Sequence, residues 1–204
     1  MTNPFAIPLI FQYLALFLAF SFGNLQYMFL VFKKKAIPNI TTWVAWSLAP
    51  IISFIVSLLA GANWTNLIVL FVAGFGPLLV VITALICKQY YLKSKLLDLV
   101  CFVLAVIGLI FYFLTKDVLV AQLILVIVDF TATFPMLYKI WFSKSDNEPL
   151  IPFAIYFATY TISLLTQPIF TISSTLFLGY LVLLTILIIS SISIKNLRLK
   201  KLNQ

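Results

Sequence analysis

The chain has no histidine, two cysteines, and charged side chains at only 9% of its 204 residues. Each scarcity excludes something. A soluble domain keeps its surface wet with charge on roughly a quarter of its residues, and this chain has too little for that. With no His, no acidic pair at helical spacing and no cysteine–acid cluster, the usual groups of acid–base and metal catalysis are missing. The expectation is therefore no enzyme, no metal and no cofactor. A retinal Schiff base needs a lysine within the last helix, and Lys195 lies beyond the end of the last apolar segment. Cys87 and Cys101 read as small apolar residues rather than a disulfide or metal pair. Met1 to Ile7 contain no Lys or Arg, and no small-residue cleavage site follows. The first apolar segment is thus expected to stay as a helix rather than leave as a signal peptide. Asn63-Trp64-Thr65 spells a glycosylation sequon, but in a loop too short to stand clear of a membrane.

What is present is apolar. Hydrophobic residues make up 64% of the chain, 20 of them Phe, and the mean hydropathy is +1.18. Seven apolar segments run at roughly 8–32, 40–60, 64–87, 96–114, 118–142, 150–168 and 169–193. Each approaches or exceeds the ~20 residues that cross ~30 Å of hydrocarbon as a helix. The net charge of +8 invites a nucleic-acid reading, but the positions of the charges decide against it. Lys33, Lys34 and Lys35 follow segment 1. Lys88, Lys93 and Lys95 follow segment 3. Lys139 and Lys144 end or follow segment 5, and Lys195, Arg198, Lys200 and Lys201 follow segment 7. The opposite face has only Lys116. Such a bias is the positive-inside signal of an odd number of crossings. It predicts an all-α membrane protein of seven transmembrane helices, N-terminus outside and C-terminus cytoplasmic.

Segments 1–3 and 5–7 form two triplets separated by one crossing, so both enter the membrane in the same sense. That predicts two parallel three-helix repeats joined by a linker helix: 1–88, a linker at 89–117, and 118–204 with a basic C-terminal tail. An offset of 110 residues superposes the triplets without a gap from Pro8 to Ala60. Seven identities result: Leu9/Leu119, Gln12/Gln122, Phe20/Phe130, Phe32/Phe142, Lys34/Lys144, Ile52/Ile162 and Ser53/Ser163. Helical stripes agree better than identities. Trp43, Trp46, Pro50, Ser53 and Ser57 share one face of segment 2. The same offset puts Phe153, Tyr156, Tyr160, Ser163 and Gln167 on segment 6. Both stripes run from aromatic at the cytoplasmic end to small and polar at the outer end. Ordinary helix–helix seams would give similar stripes.

Asp129 stands out. It lies near the middle of segment 5, whereas Asp98, Asp117, Asp146 and Glu148 lie near ends or in a loop. A charge at helix centre costs roughly 3 kcal/mol on insertion scales, and no basic residue sits at matching depth. Either Asp129 is neutral at rest, or it faces a wet cavity where it meets a proton, a cation or a donor-rich solute. Ala132 and Thr133 leave room beside it. In segment 1 the positions Ala19, Phe22 and Gly23 correspond, followed by Asn24 and Gln26. Those two amides serve as solute contacts or as interhelical hydrogen bonds; both readings stand. Trp43, Trp46, Tyr156 and Tyr160 are expected to line or gate the cytoplasmic half of a cavity. Pro50, Pro77 and Pro135 fall inside segments 2, 3 and 5, and Gly74-Phe75-Gly76-Pro77 adds points of close approach. They read as hinges or as static kinks.

Seven crossings in a three-plus-one-plus-three layout resemble the SWEET and PQ-loop transporter superfamily. Its mark is a Pro-Gln pair in the first helix of each triplet. Here Leu25-Gln26 aligns with Pro135-Met136, so each copy keeps half of the pair. Asp129-Phe130-Thr131 is similar to the cystinosin branch of that superfamily. The resemblance implies a small-solute carrier working by alternating access, with a proton-coupling role for Asp129. Sugar-carrying members place Asn near mid-depth on helices 3 and 7. This chain has Gly76 and Pro77, then Ser173, Ser174, Thr175 and Tyr180, which speaks against sugar. The alternative is a non-transporting receptor or scaffold on the same architecture, although the short outer loops leave little for a large ligand to grip. The partners expected are a small polar solute and the lipid bilayer, with no nucleic acid, and with self-association left open. The Ile/Phe/Lys-rich usage and compact loops suggest a prokaryotic inner membrane.

Overall fold

The computed structural model describes residues 8–91, 100, 103, 107, 110–111, 113–115, 117–142, 148–167 and 172–202. Expectations placed on Met1 to Ile7, Lys93, Lys95, Asp98, Cys101, Lys116, Lys144 and Asp146 lie outside these residues, as do those on the side chains of Thr65, Ser173, Ser174, Lys200 and Lys201. Among the described residues every element is a helix. Helix α1 spans Leu9–Phe32, α2 Ile40–Leu59, and α3 Trp64–Ile86. The described residues of 100–115 are all helical and are called α4. Helix α5 spans Val118–Phe142, α6 Leu150–Leu165, and α7 Ile172–Leu202.

Five of these helices, α1, α2, α3, α5 and α7, are long and apolar enough to cross a membrane. Helix α6 is apolar but has 16 residues, about 24 Å at 1.5 Å per residue. Pro149 caps its start, and Pro168 follows in the sequence, where the residue before a proline avoids helical backbone. Helix α7 departs from expectation in the other direction. Its 31 residues continue the helix to Leu202, so Lys195 and Arg198 are helical rather than in a tail. Basic residues near a helix C-terminus are favoured there by the helix dipole. Helix α1 carries a π-helical stretch at Ala19–Asn24 that the apolar pattern does not announce.

Local chemistry explains the ends. The Asn39 side chain caps α2 by accepting from the Thr42 backbone N–H at 3.3 Å. The α2–α3 turn passes through Gly61 at φ +83°, the left-handed position that ends a helix without strain in glycine. Tyr91, beyond α3, pairs with the α1–α2 connection: its N–H donates to Pro38 O at 2.9 Å, and its carbonyl accepts from Ile40 N–H at 3.1 Å.

The distribution of polarity is inverted relative to a soluble protein. Phe17, Phe32, Ile86, Leu114, Phe142 and Leu183 are exposed, each at 66% or more. Gln12, Ser53, Gln122, Asp129, Thr133 and Ser163 are fully buried at 0%. Exposed apolar side chains on long apolar helices fit an integral multi-pass membrane protein. The helices associate in a pattern that interleaves the chain. Helix α2 packs on α3 and on α5, while α6 packs on α7 and on α1. Helix α5 also contacts α7.

Close approach between α2 and α3 is permitted by Gly74. A Cβ there would lie 2.5 Å from Ile51 Cγ1 and 2.6 Å from the Ser47 carbonyl oxygen. The first can move; the second is backbone and cannot. Gly74→Ala should therefore destabilise the fold by about 1–3 kcal/mol, the usual cost of overpacking. At Gly179, inside α7, nothing among the described residues lies within 4 Å of the added carbon, and Gly179→Ala should not destabilise and should gain up to about 1 kcal/mol of helix propensity. Thermal denaturation of the two variants in detergent checks both.

Candidate solute cavity

The polar residues of the helix stripes meet in the interior. Trp46 Nε1–H on α2 donates to Thr133 Oγ1 on α5 at 3.1 Å. Tyr156 OH on α6 donates to Asn24 Oδ1 on α1 at 2.8 Å. The π-helical stretch of α1 sets up the second contact. It widens the backbone just before Asn24, and Asn24 Nδ2 reaches back to the Ala19 carbonyl five residues earlier, at 3.4 Å. Tyr156 passes directly over Gly23, where a Cβ would come within 2.5 Å of Tyr156 Cε1. Gly76 of α3 is likewise packed against the Asn24 side-chain amide.

Between these contacts lies a cavity of about 40 Å3, large enough to admit water. Its wall is largely aromatic. Ring centroids run from Trp43 to Trp46 at 5.5 Å, to Phe153 at 6.2 Å, to Tyr156 at 6.0 Å and to Tyr160 at 6.4 Å. All five residues line the cavity. Asn24, Asp129, Thr159 and Thr185 add polar groups, and Pro50 and Pro77 line it as well.

Asp129 is fully buried and lines this space. Its Oδ2 accepts from Tyr180 OH on α7 at 2.9 Å. Its Oδ1 has no hydrogen-bond partner among the described residues. A hydrogen bond to a charged group contributes about 1.5–3 kcal/mol, so Tyr180 compensates burial of the carboxyl only in part. Thr133, one turn on, donates to the Asp129 backbone carbonyl at 2.9 Å while accepting from Trp46. Thr133 is thus outside the cavity lining and holds Trp46 in place from behind.

The residues singled out from the sequence are therefore gathered unequally. Asn24, Trp43, Trp46, Asp129, Tyr156 and Tyr160 share one cavity. Gln26 is half-buried and does not line it. Two residues past Asn24 on a helix means about 200° of rotation, which turns Gln26 away. Of the three internal prolines, Pro50 and Pro77 face the cavity, while Pro135 sits within α5 outside its lining.

One cluster was not visible in the sequence. Lys139, at the last turn of α5, is buried at 4% and forms an ion pair with Glu148 at 3.2 Å. Its Nζ also donates to the Ile37 carbonyl and lies 5.9 Å from the Tyr91 ring centroid. Tyr27 OH of α1 donates to the other Glu148 oxygen at 2.8 Å. Tyr27 in turn packs on Trp43 at 4.4 Å between ring centroids. A single polar knot thus ties α1, α5, the α1–α2 connection and the segment before α6 together, directly beside the aromatic wall. Read as one of many membrane-end lysines, Lys139 gave no hint of this. Only the rarity of acids in the chain marked Glu148.

Among the described residues no group of His, Cys, Asp and Glu could hold a metal ion. Comparison with protein-family models, characterised proteins and solved structures found no match to this chain.

The buried pair makes a sharp energetic test. Removing one partner of a buried ion pair costs about 3–5 kcal/mol, whereas replacing both by apolar side chains is often neutral. Glu148→Gln should destabilise by that amount, and the double variant Lys139→Met, Glu148→Leu should recover only part of it, because the Tyr27 hydroxyl then loses its acceptor. Melting temperatures of both variants and of the parent decide the point.

Proposed function

We propose that the chain is a small-solute membrane carrier of SWEET/PQ-loop type, working by alternating access, with Asp129 coupling proton movement to the solute. The observation that carries this reading is Asp129 itself: a fully buried carboxylate with one oxygen unpartnered, lining an internal cavity. Such a group is expensive in a membrane and is retained where it binds or relays a cation or proton.

The arrangement of the two helix triplets supports the reading. Helix α2 lies against α5, and α6 against α1. With an offset of 110, α1 corresponds to α5 and α2 to α6, so one contact is the image of the other. The hydrogen bonds follow suit. Trp46 and Tyr156 are 110 apart, and each donates across to the first helix of the opposite triplet. The acceptors, Thr133 and Asn24, are one position from strict equivalence. At the outer end, Gln122 accepts from Ser53 at 2.8 Å and donates to Ser57 at 3.0 Å. Its counterpart Gln12 accepts from Thr166 at 3.0 Å. Two helix-perturbing features also match in level: a π-helical stretch ends at Asn24 in α1, and Pro135 lies inside α5 at the position equivalent to residue 25.

In this reading two like halves, 1–88 and 118–204, enclose the cavity and are joined by the linker at 89–117. The N-terminus is outside, the C-terminus is cytoplasmic, and the setting is a prokaryotic inner membrane. The cavity opens alternately to each side as the halves rock, with Pro50, Pro77 and Pro135 as the points where helices bend. The aromatic wall and the Lys139–Glu148–Tyr27 knot close the cytoplasmic end. Asp129 exchanges a proton within the solute cycle, giving it up as the solute binds and regaining it when the solute leaves.

Full-length protein in liposomes loaded with a pH-sensitive dye tests this directly. Imposing inward gradients of small polar solutes one at a time should move protons for at least one of them. Asp129→Asn should abolish that proton movement while the protein still melts cooperatively. Undiminished solute-driven proton movement by the variant removes Asp129 from the mechanism. Capture of a stable protein partner with no solute movement favours the receptor reading.

A further inference from the structure

The geometry points to a small primary ammonium ion, without a carboxylate of its own, as the solute that the cavity selects. This rests on the carrier reading above and narrows it to one chemical class.

The argument is a balance of donors and acceptors. Nearly every hydrogen-bond donor on the wall is already spent. Trp46 Nε1–H goes to Thr133, and Tyr156 OH to Asn24. Thr159 OH donates to the Ala15 and Ile155 carbonyls, and Thr185 OH to those of Leu181 and Val182. Among the described residues Trp43 Nε1–H has no partner, and the Tyr160 hydroxyl and the second N–H of Asn24 Nδ2 are the other donors left; all three are neutral. Acceptors are in surplus. Asp129 Oδ1 is unpartnered. Trp46 and Ala73 line the cavity, and each stands four residues before a proline, Pro50 or Pro77. A proline has no N–H, so both carbonyls lose the donor that an unbroken helix would supply.

A surplus of acceptors, one full negative charge and a wall of aromatic rings together describe a site for a cation that brings N–H donors. One N–H meets Asp129 Oδ1, the acceptor left unpartnered among the described residues. The positive charge lies against the ring faces, where the quadrupole attracts it. The same inventory argues against the neighbouring classes. An amino acid carries a carboxylate, and among the described residues no Lys or Arg lines the cavity to receive it. A sugar presents many hydroxyls that must donate and accept at once, which a wall with so few free donors does not match. An ethylammonium ion has the matching charge and donor set.

The test uses full-length protein, purified in detergent, with melting temperature followed against ethylammonium chloride at constant ionic strength set by potassium chloride. Glycine and glucose are run in parallel. Ethylammonium should raise the melting temperature saturably, and glycine and glucose should not. Asp129→Asn should weaken the apparent affinity about tenfold or more, as expected when a charged partner is lost. Tyr160→Leu keeps the carboxylate and removes one ring, and should weaken it about fivefold. An affinity unchanged in Asp129→Asn overturns the proposal. Should that variant fail to fold, an unchanged affinity in a folded Tyr160→Leu overturns it equally. Counterflow of labelled solutes in liposomes separates this inference from the one it rests on. If glycine or glucose exchanges and ethylammonium neither binds nor exchanges, the ammonium class is wrong and the carrier stands. If ethylammonium binds through Asp129 but no solute crosses, the site stands and the carrier reading falls.

Discussion

In a bilayer a helix gains little by hiding an apolar face, because lipid is as apolar as the neighbouring helix. What fixes these helices relative to one another is the demand of buried polar groups for partners. The chain meets that demand at successive depths. Near one end, Gln122 bridges Ser53 and Ser57, and Gln12 accepts from Thr166. At mid-helix Trp46 meets Thr133, Tyr156 meets Asn24, and Tyr180 meets Asp129. Near the other end Glu148 receives Tyr27 and Lys139. Each neutral bond contributes only ~0.6–2 kcal/mol. Each nevertheless ties two different helices, so sliding one helix by a residue would break several at once. Register follows from polar satisfaction, and the apolar side chains pack into what that register leaves.

The cavity follows from the same constraint. Large rings cannot interdigitate as closely as aliphatic side chains when their polar atoms are held by bonds behind them. Trp46 is pulled toward Thr133, and Tyr156 toward Asn24 over the bare backbone of Gly23. Their ring faces are thereby fixed around a space they do not fill. Pro50 and Pro77 keep the helices from straightening into it. The void is thus a product of where the donors are anchored, and not of poor packing elsewhere: Tyr27, Val31, Val80, Ala84 and Ile140 nearby are all within 2% of complete burial.

Much of this was legible in the sequence, for stated reasons. Long apolar runs bounded by Lys, Pro and Gly gave α2, α3 and α5 nearly to the residue, because hydropathy over ~20 residues is a strong signal. Trp43, Trp46, Tyr156, Tyr160 and Asp129 were found because aromatic and acidic residues at helical spacing are conspicuous in a Leu/Ile/Phe background. Three features were not legible. The π-helical stretch at Ala19–Asn24 depends on Asn24 reaching the Ala19 carbonyl, and no local pattern encodes that. Gln26 was grouped with Asn24 by type, yet a two-residue step on a helix sends the pair to different faces. The Lys139–Glu148 pair spans nine positions and a helix end, a spacing that no helical or turn rule marks. The extension of α7 through Arg198 to Leu202 was missed because charge was read as the end of a helix, although cations are welcome at a C-terminus.

If the two halves descend from one plan, their departures from symmetry are informative. Ser53 and Gln122 are bonded to each other, but their counterparts Ser163 Oγ and Gln12 Nε2 are both unpartnered among the described residues. Asp129 faces the cavity from one half, and the equivalent position in the other is Ala19, which also lines it. That second difference is demanded by electrostatics. Two carboxylates about 4 Å apart at an effective dielectric of ~20 repel by about 4 kcal/mol, on top of the cost of burying each. A cavity of this size can keep one carboxylate with one Tyr180 to hold it. A faithful duplicate would force one of the pair to stay neutral. A single carboxylate opposite Ala19 avoids that repulsion and leaves one Asp129 oxygen without a partner among the described residues.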